Sequence, residues 1–317
     1  MGEAGVAGPG RQALLIDCDP GHDDAVAILV GHRHFDLKAI TTVHGNSGLD
    51  NTTRNALAVL ELAGIDGVPV AKGAASPLVG PAHNAAHVHG QSGLDGHDLP
   101  EPALKPVPDH AIDVIIETAR AHQGELVLAV IGPATNIALA LRREPRLADW
   151  VREVTVMGGS GGGGNMTPAA EFNAYCDPEA LAAVFAAGWP LRMVGVDVTR
   201  TVGIDATDIE ILRGSGRRTA GVIADLLSFY MDRQTHSTGL THAPMHDACA
   251  LIPLLDADAM VYRETRVEVE LAGRFTRGMT VCDFRGSRID RPNARVAVQP
   301  ARERLVGVMM DAVLSYP

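Results

Sequence analysis

Between Leu14 and Asp24 the chain reads LLIDCDPGHDD, which places Asp17, Asp19, Asp23 and Asp24 directly after a short apolar run. Carboxylates this close disfavour one another's ionised form, and each tends to hold its proton unless a cation neutralises the group. An all-oxygen cluster is the donor set of a hard divalent ion such as Ca²⁺ or Mg²⁺. The same residues could instead open a helix, one acid as N-cap and the rest in the first turn. A cap needs one acid or two, so four point to metal or catalytic chemistry.

Further candidates lie along the chain. In HGNSGLDNTTRNA (44–56) Asn46 follows an apolar run, where an Asn is a ligand or simply a turn residue. MGGSGGGGN (157–165) contains a GxGxxG match, but the helix of a dinucleotide site is replaced by the polar loop NMTPAAEFNAYCDPEA. The glycines suit close backbone approach to a ligand, or flexibility. Asn165, Glu171 and Asn173 in that loop could line a hydroxyl-rich ligand or stand solvated. HVHG (87–90) has no Cys or HExxH partner to make a zinc site, and one loop-borne histidine as hydrogen-bond donor or proton carrier fits better. His246 and Asp247 precede the apolar ACALIPLL. On residue types alone they read as a helix start, Asp247 the N-cap and His246 a surface neighbour.

The elements that must position these residues alternate. Strands are expected at 13–17, 37–43, 68–71, 126–132, 153–158 and 191–197. Helices are expected at 23–32, 51–63, 109–122, 136–142 and 178–187, with Pro178 suiting a first turn and Gly64 and Gly188 helix stops. Strand, helix, strand with short connections means a mostly parallel sheet flanked by helices, an α/β fold with a Rossmann-like core. Ligands of such sheets sit beyond the carboxyl ends of the strands, where the four aspartates fall. The stretch 73–108 has little periodicity and reads as a lid or binding loop. Beyond Asp197 the pattern turns helical (207–213, 217–233). A polar loop (234–247), short strands in RVEVEL, MTVCDF and ARVAV, and a closing helix from about Ala301 follow. No linker divides the chain, so residues 13–317 read as one domain after a flexible start at 1–12.

Composition narrows the classes. A net charge of −11 without a run of Lys or Arg argues against nucleic acid or an anionic membrane as partner. Cys18, Cys176, Cys249 and Cys282 lie far apart without CxxC spacing, as expected of a reduced, cytoplasmic protein. Apolar stretches such as LVLAVIG fall short of the ~20 residues that span a bilayer. MGEAGVAGPG lacks the basic flank and apolar run of a signal peptide, and the Ser/Thr of a myristoylation site.

Taken together, DCDPGHDDAVAIL (17–29), ITTVHGN (40–46), HVHGQSG (87–93), IGPATNIALA (131–140), VTVMGG (154–159), AEFNAYCDPEA (170–180) and MHDACA (245–250) resemble, in order, the motifs of the inosine-uridine-preferring nucleoside hydrolases. The resemblance implies a ribonucleoside N-ribohydrolase that releases ribose and a free base. It makes Asp19, Asp24 and Asp247 carboxylate ligands of Ca²⁺ and gives Ile131 a backbone-carbonyl ligand. Asp19 is also the base that deprotonates the metal-bound water, with Asp17 close behind. Asp23, Asn46, Asn165, Glu171 and Asn173 match ribose-hydroxyl ligands, His246 the proton donor to the leaving base, and His89 a base-side histidine. It further implies a homodimer or homotetramer and a role in nucleoside salvage.

Physical chemistry supports such a set. Breaking an N-glycosidic bond builds positive charge on the sugar and negative charge on the base, so acids must surround the ribose and a proton donor must meet the base. A protonated histidine is one such donor. Trp150 and Trp189 flank strands, and His246 is present. That pattern resembles the broad-specificity or pyrimidine-accepting enzymes more than those that stack 6-oxopurines between loop tryptophans; Tyr230, Gln234 and Thr238 stand near the base side. Two other classes compete. An apolar strand followed by DxD also opens haloacid dehalogenase-like phosphatases, although PGHDD does not fit their motif. A non-catalytic nucleoside-binding protein would keep the ribose ligands but lose Asp19 or His246, and both are present.

Overall fold

The computed structural model describes residues 10–286 and 291–317, so most of the expected flexible start, residues 1–9, lies outside the described residues. The first half runs β1 (Ala13–Cys18), α1 (His22–His34), β2 (Asp36–Thr42), α2 (Leu49–Leu62), β3 (Val70–Lys72), α3 (Ala86–His89), α4 (Ala111–Ala121), β4 (Val127–Val130), α5 (Thr135–Arg143), α6 (Leu147–Trp150) and β5 (Glu153–Met157). Next come α7 (Phe172–Cys176), α8 (Pro178–Ala186), β6 (Leu191–Val194), α9 (Val196–Thr199), β7 (Gly203–Asp205), α10 (Ala206–Gly214), α11 (Arg218–Thr238), β8 (His242–Pro244) and α12 (Ala248–Leu251). The chain closes with β9 (Met260–Thr265), β10 (Val267–Val269), β11 (Thr280–Cys282), β12 (Ala294–Pro300) and α13 (Arg302–Leu314).

Eight strands form one sheet in the order β3-β2-β1-β4-β5-β6-β12-β9, parallel except for the antiparallel edge strand β9. Every residue of β1 is buried, and alternation sends Leu14, Ile16 and Cys18 to one face and Ala13 and Leu15 to the other. The first face packs on α1, α11 and α13 through residues such as Leu29, Leu227 and Met309. The second packs on α4, α5 and α8 through Ile115, Ile137 and Val184. The chain moves outward from β1 to β2 and β3, then returns to β1's other side as β4. That reversal opens a crevice past the carboxyl ends of β1 and β4.

The expected single-domain, mostly parallel α/β sheet is therefore present. Three details differ. The sixth strand stops at Val194, and residues 196–199 turn into α9 after Gly195. Residues 234–238 continue α11 until Gly239, whose left-handed φ of 75° ends the helix. The short strands expected in RVEVEL and MTVCDF are present as β10 and β11, which pair with each other in a ribbon of their own. Strand β9 was not expected, because MVYRET is a polar edge strand with exposed Val261, Arg263 and Glu264 and lacks apolar alternation. Among the described residues no helix is long and apolar enough to cross a membrane.

Candidate active site

Asp17 sits in the last rungs of the ladder of β1 and Asp19 just beyond it, because the strand is fully buried up to Cys18 and the chain then breaks at Pro20-Gly21 before α1. Asp17 Oδ1 accepts from Thr41 Oγ1 (2.6 Å) and Asn136 Nδ2 (2.8 Å), whereas its buried Oδ2 has no partner. Asp19 Oδ2 accepts from the Asn46 backbone N–H at 2.6 Å. Its carboxylate fits between two glycines: a Cβ at Gly132 would sit 2.6 Å from Oδ1, and one at Gly45 would collide with Oδ2. Asp24, in the first turn of α1, accepts from the N–H groups of Gly21 (2.9 Å) and Asp19 (3.3 Å) and from Asn46 Nδ2 (3.2 Å).

Asp247 arrives from the far end of the sequence. It precedes α12, yet its side chain makes no capping hydrogen bond, which overturns the N-cap reading. One carboxylate oxygen each from Asp23, Asp24 and Asp247 instead lies within 4.8 Å of the others. Asp19 shares the cluster's field, and its carboxylate is held by the Asn46 N–H.

Asp19, Asp23 and Asp247 line a cavity of about 280 Å³ together with Asn46, His89, Ile131, Asn165, Glu171, Asn173 and His246. Glu171 caps α7 by accepting from the N–H groups of Asn173 and Ala174, and it also accepts from Gly159 in the glycine run. Asn173 Nδ2 donates to the carbonyls of Ile131 (2.9 Å) and Met157 (3.1 Å), which leaves its Oδ1 without a partner among the described residues. Asn165 is exposed, and its Oδ1 accepts from the Phe172 N–H. His246 is no surface neighbour: it is partly buried, lines the cavity and sets Nδ1 2.6 Å from Thr199 Oγ1. All the residues expected to act together do share this cavity except Asp17 and Asp24, which lie just behind it.

No Lys or Arg lines the cavity among the described residues. Burial therefore acts on the acids without a cation to oppose it. It pushes Asp17 up to about 7, and together with the charge of Asp24 it pushes Asp23 up to about 8. Asp24 rises to about 6, again chiefly through burial, while Asp19 and Asp247 are raised by burial and by their acidic neighbours. Buried, mutually repelling carboxylates, a partnerless Asp17 oxygen and an all-oxygen donor set fit a hard divalent cation. A phosphate would find no Lys or Arg among the lining residues, which counts against the phosphatase reading. Burial, with Arg200 and His242 adding to it, lowers His246 to about 4.

His22, Thr199, Thr41 and Asn136 were not singled out from sequence. His22 alone carried a local signal, since it sits inside PGHDD; the other three act through partners far along the chain. Neither Trp150 nor Trp189 lines the cavity.

Residues 14–306 match the family model for inosine-uridine preferring nucleoside hydrolase. A curated relative, the pyrimidine-specific ribonucleoside hydrolase RihA of Salmonella arizonae, is 41% identical over 306 residues, 96% of this chain and 98% of that protein. Among solved structures, the plant nucleoside hydrolase PpNRh1 superposes with a TM-score of 0.90 at 30% identity, covering 96% of this chain and 99% of its own. A purine-preferring ribonucleoside hydrolase from Gardnerella vaginalis gives a TM-score of 0.90 at 28% identity, with 96% and 98% covered. With this sequence match, this sheet and an acid-lined crevice at its switch point, the chain belongs to the inosine-uridine preferring nucleoside hydrolase family and is an N-glycosidase of the ribonucleoside hydrolase class.

Proposed function

We propose that the protein hydrolyses the N-glycosidic bond of pyrimidine ribonucleosides with the help of bound Ca²⁺. The observation that carries this reading is the set of buried carboxylates without a protein counter-charge, opening on a cavity that also holds His246. The pyrimidine preference is drawn from the RihA relatives and from a cavity without tryptophan. Asp24, Asp247, Asp19 and the Ile131 carbonyl would hold the ion, with Asp23 near enough to share it. When bound, the ion offsets the repulsion among these acids and polarises an oxygen nucleophile.

The chain's own groups supply the rest. Asp19, held by the Asn46 N–H and walled by Gly45 and Gly132, keeps one orientation as it takes a proton from the attacking water. The ribose hydroxyls meet Asp23, Asn46, Glu171 and the free Oδ1 of Asn173, with the Asn165 amide at the rim. Glu171 keeps acceptor capacity beyond its backbone bonds, because an ionised carboxylate offers about four lone-pair sites. Such acceptors strengthen as positive charge grows on the sugar. At the base, Nδ1 of His246 is paired with the Thr199 hydroxyl, which leaves Nε2 to pass a proton to the leaving base as negative charge builds on it.

A reducing-sugar assay across uridine, cytidine, inosine and adenosine, before and after chelation and Ca²⁺ restoration, tests the proposal. Uridine and cytidine are expected to be cleaved fastest, with activity lost on chelation and regained with Ca²⁺. Release of no ribose from any of the four would overturn it. In the same assay His246→Ala is expected to slow uridine by roughly 10²-fold, within the usual range for a positioned proton donor. It should slow p-nitrophenyl riboside, whose leaving group needs no proton, far less.

A further inference from the structure

Beside the acid cluster, two histidines and two aromatic rings form a stack whose polar atoms are arranged in one direction. His22, 1% exposed, lies 5.1 Å from His89, 5.2 Å from Tyr230 and 5.6 Å from Phe229 between ring centroids, all near-parallel. His22 Nε2 is 2.7 Å from the Asp95 carbonyl oxygen. A carbonyl only accepts, so Nε2 carries the hydrogen. That carbonyl is itself well placed, because the Asp95 carboxylate ties its own loop to the N–H groups of Gln91 and Ser92 and to the Ser92 hydroxyl. A neutral His22 then has a bare Nδ1, and 2.9 Å away stands His89 Nδ1, which must be the donor.

His89 is left with an unprotonated Nε2. That atom has no partner among the described residues and is not sealed from solvent, and the ring lines the nucleoside cavity. The His22 backbone N–H also points at His89 Nδ1, but at 3.4 Å it is the weaker contact. Favouring it would leave two lone pairs facing each other across the shorter 2.9 Å Nδ1–Nδ1 contact, because the hydrogen of His22 is already placed on Nε2 by the Asp95 carbonyl.

We propose that His22 is a positioning residue that fixes the proton of His89 on Nδ1, so that His89 Nε2 accepts a hydrogen bond from an N–H of the base, such as the imide N–H of uridine. The inference rests on the reading of the cavity as the nucleoside site. It makes the x position of PGxDD a determinant of base recognition rather than of the metal.

The test uses the full chain labelled with ¹⁵N-histidine in long-range ¹H–¹⁵N correlation spectra, the His89 signals being assigned by their loss in His89→Gln. The expected result is an unprotonated shift for His89 Nε2 and a protonated one for Nδ1. His22→Phe keeps a ring in the stack but removes the acceptor, and should move His89 toward the other tautomer. His22→Asn, whose Oδ1 can stand near the old Nδ1, should restore it. In kinetics His22→Phe should raise KM for uridine by about 10-fold, the usual worth of one hydrogen bond, with kcat changed far less. The loss should be smaller on p-nitrophenyl riboside, which offers no N–H, and His22→Asn should recover most of it. A protonated Nε2 in the unmodified protein overturns the proposal even if His22→Phe does not fold, and so does an unchanged His89 tautomer in a folded His22→Phe. The expected spectrum from a protein that cleaves no nucleoside would keep the tautomer lock and overturn the base contact together with the proposed function.

Discussion

The same side chain behaves in opposite ways at two places in this molecule. At the crevice Asp17, Asp23 and Asp24 are pushed up to about 7, 8 and 6, because burial acts and no arginine or lysine answers it. On the rim, Asp283 beside Arg285 and Glu144 beside Arg146 are drawn down to about 2, each by hydrogen bonds from its arginine. The chain has 27 Lys and Arg residues, so counter-charge is not scarce. It is kept off the cavity and spent on the surface, where ion pairs contribute little. A buried acid cluster without its own cation is unfavourable to the empty fold and favourable to whatever cation enters. The crevice trades stability for binding; the rim does neither.

The sharpest way to break that contrast is Asp247→Asn. This change removes one charge from the trio and, unlike a change at Asp24, deprives no backbone N–H of a partner. Loss of a ligand that helps stabilise transition-state charge by several kcal/mol should lower uridine turnover by about 10³-fold or more. The ion-free variant should nevertheless melt higher than the ion-free parent, because one buried repulsion is gone. Calorimetry with chelator and then with Ca²⁺ reads both halves, and the variant should lose most of the Ca²⁺-dependent rise in Tm. A variant that melts lower without ions and keeps its Ca²⁺ response would show that the cluster is an ordinary structural network.

How far this site could be read from sequence follows from where its parts sit. Asp17, Asp19, Asp23 and Asp24 are local, and the buried strand before them declares their position at the sheet's carboxyl edge. Asn46 follows from the same rule applied to β2, whereas Ile131 was supplied by the family resemblance. Asp247 is different. From residue types it reads as a helix cap, and only the family resemblance joined it to acids more than 220 residues away. Its role depends on backbone direction before α12, which residue type does not encode. Thr199 had no local sign at all and His22 only its place inside PGHDD, since each acts through a partner 47 or 67 positions distant. In the fold, the buried parallel strands were plain from their apolar runs, whereas β9 was hidden because an edge strand needs no apolar face. The extension of α11 to Thr238 had a local sign in Gly239, a residue suited to ending helices.

The contrast also has a pH signature of moderate size. A carboxyl whose folded pKa is raised adds stability that is complete below its unfolded value, near 3.8, and is lost as pH rises through the folded value. For Asp24, Asp17 and Asp23 that loss extends to about 6, 7 and 8. The buried histidines oppose this at lower pH: His22, His44 and His246, lowered to about 4, add stability above their unfolded value near 6.5 and lose it on acidification. Above pH 6.5 the histidine contribution is complete and only the carboxyls still change. The Tm of ion-free protein should therefore fall steadily from pH 6.5 to 8.5, and saturating Ca²⁺, which favours the ionised acids, should flatten or reverse the trend. A fall of equal slope with and without Ca²⁺ would mean the ion does not bind these groups.

The smallest effect is expected at the rim. Arg285→Ala and Arg304→Ala remove ion pairs of 2.7 and 2.8 Å to Asp283 and Asp256. Each of these acids is drawn down by its arginine, but water solvates an exposed carboxylate nearly as well once the arginine is gone. Neither variant should change Tm or uridine turnover measurably, and added salt should erase any residual difference. The comparison needs this null result as much as the loss at Asp247. If a rim arginine moved Tm as far as a crevice acid does, surface pairing would be holding the fold, and the crevice could no longer be singled out as the place where charge is left for a ligand to balance.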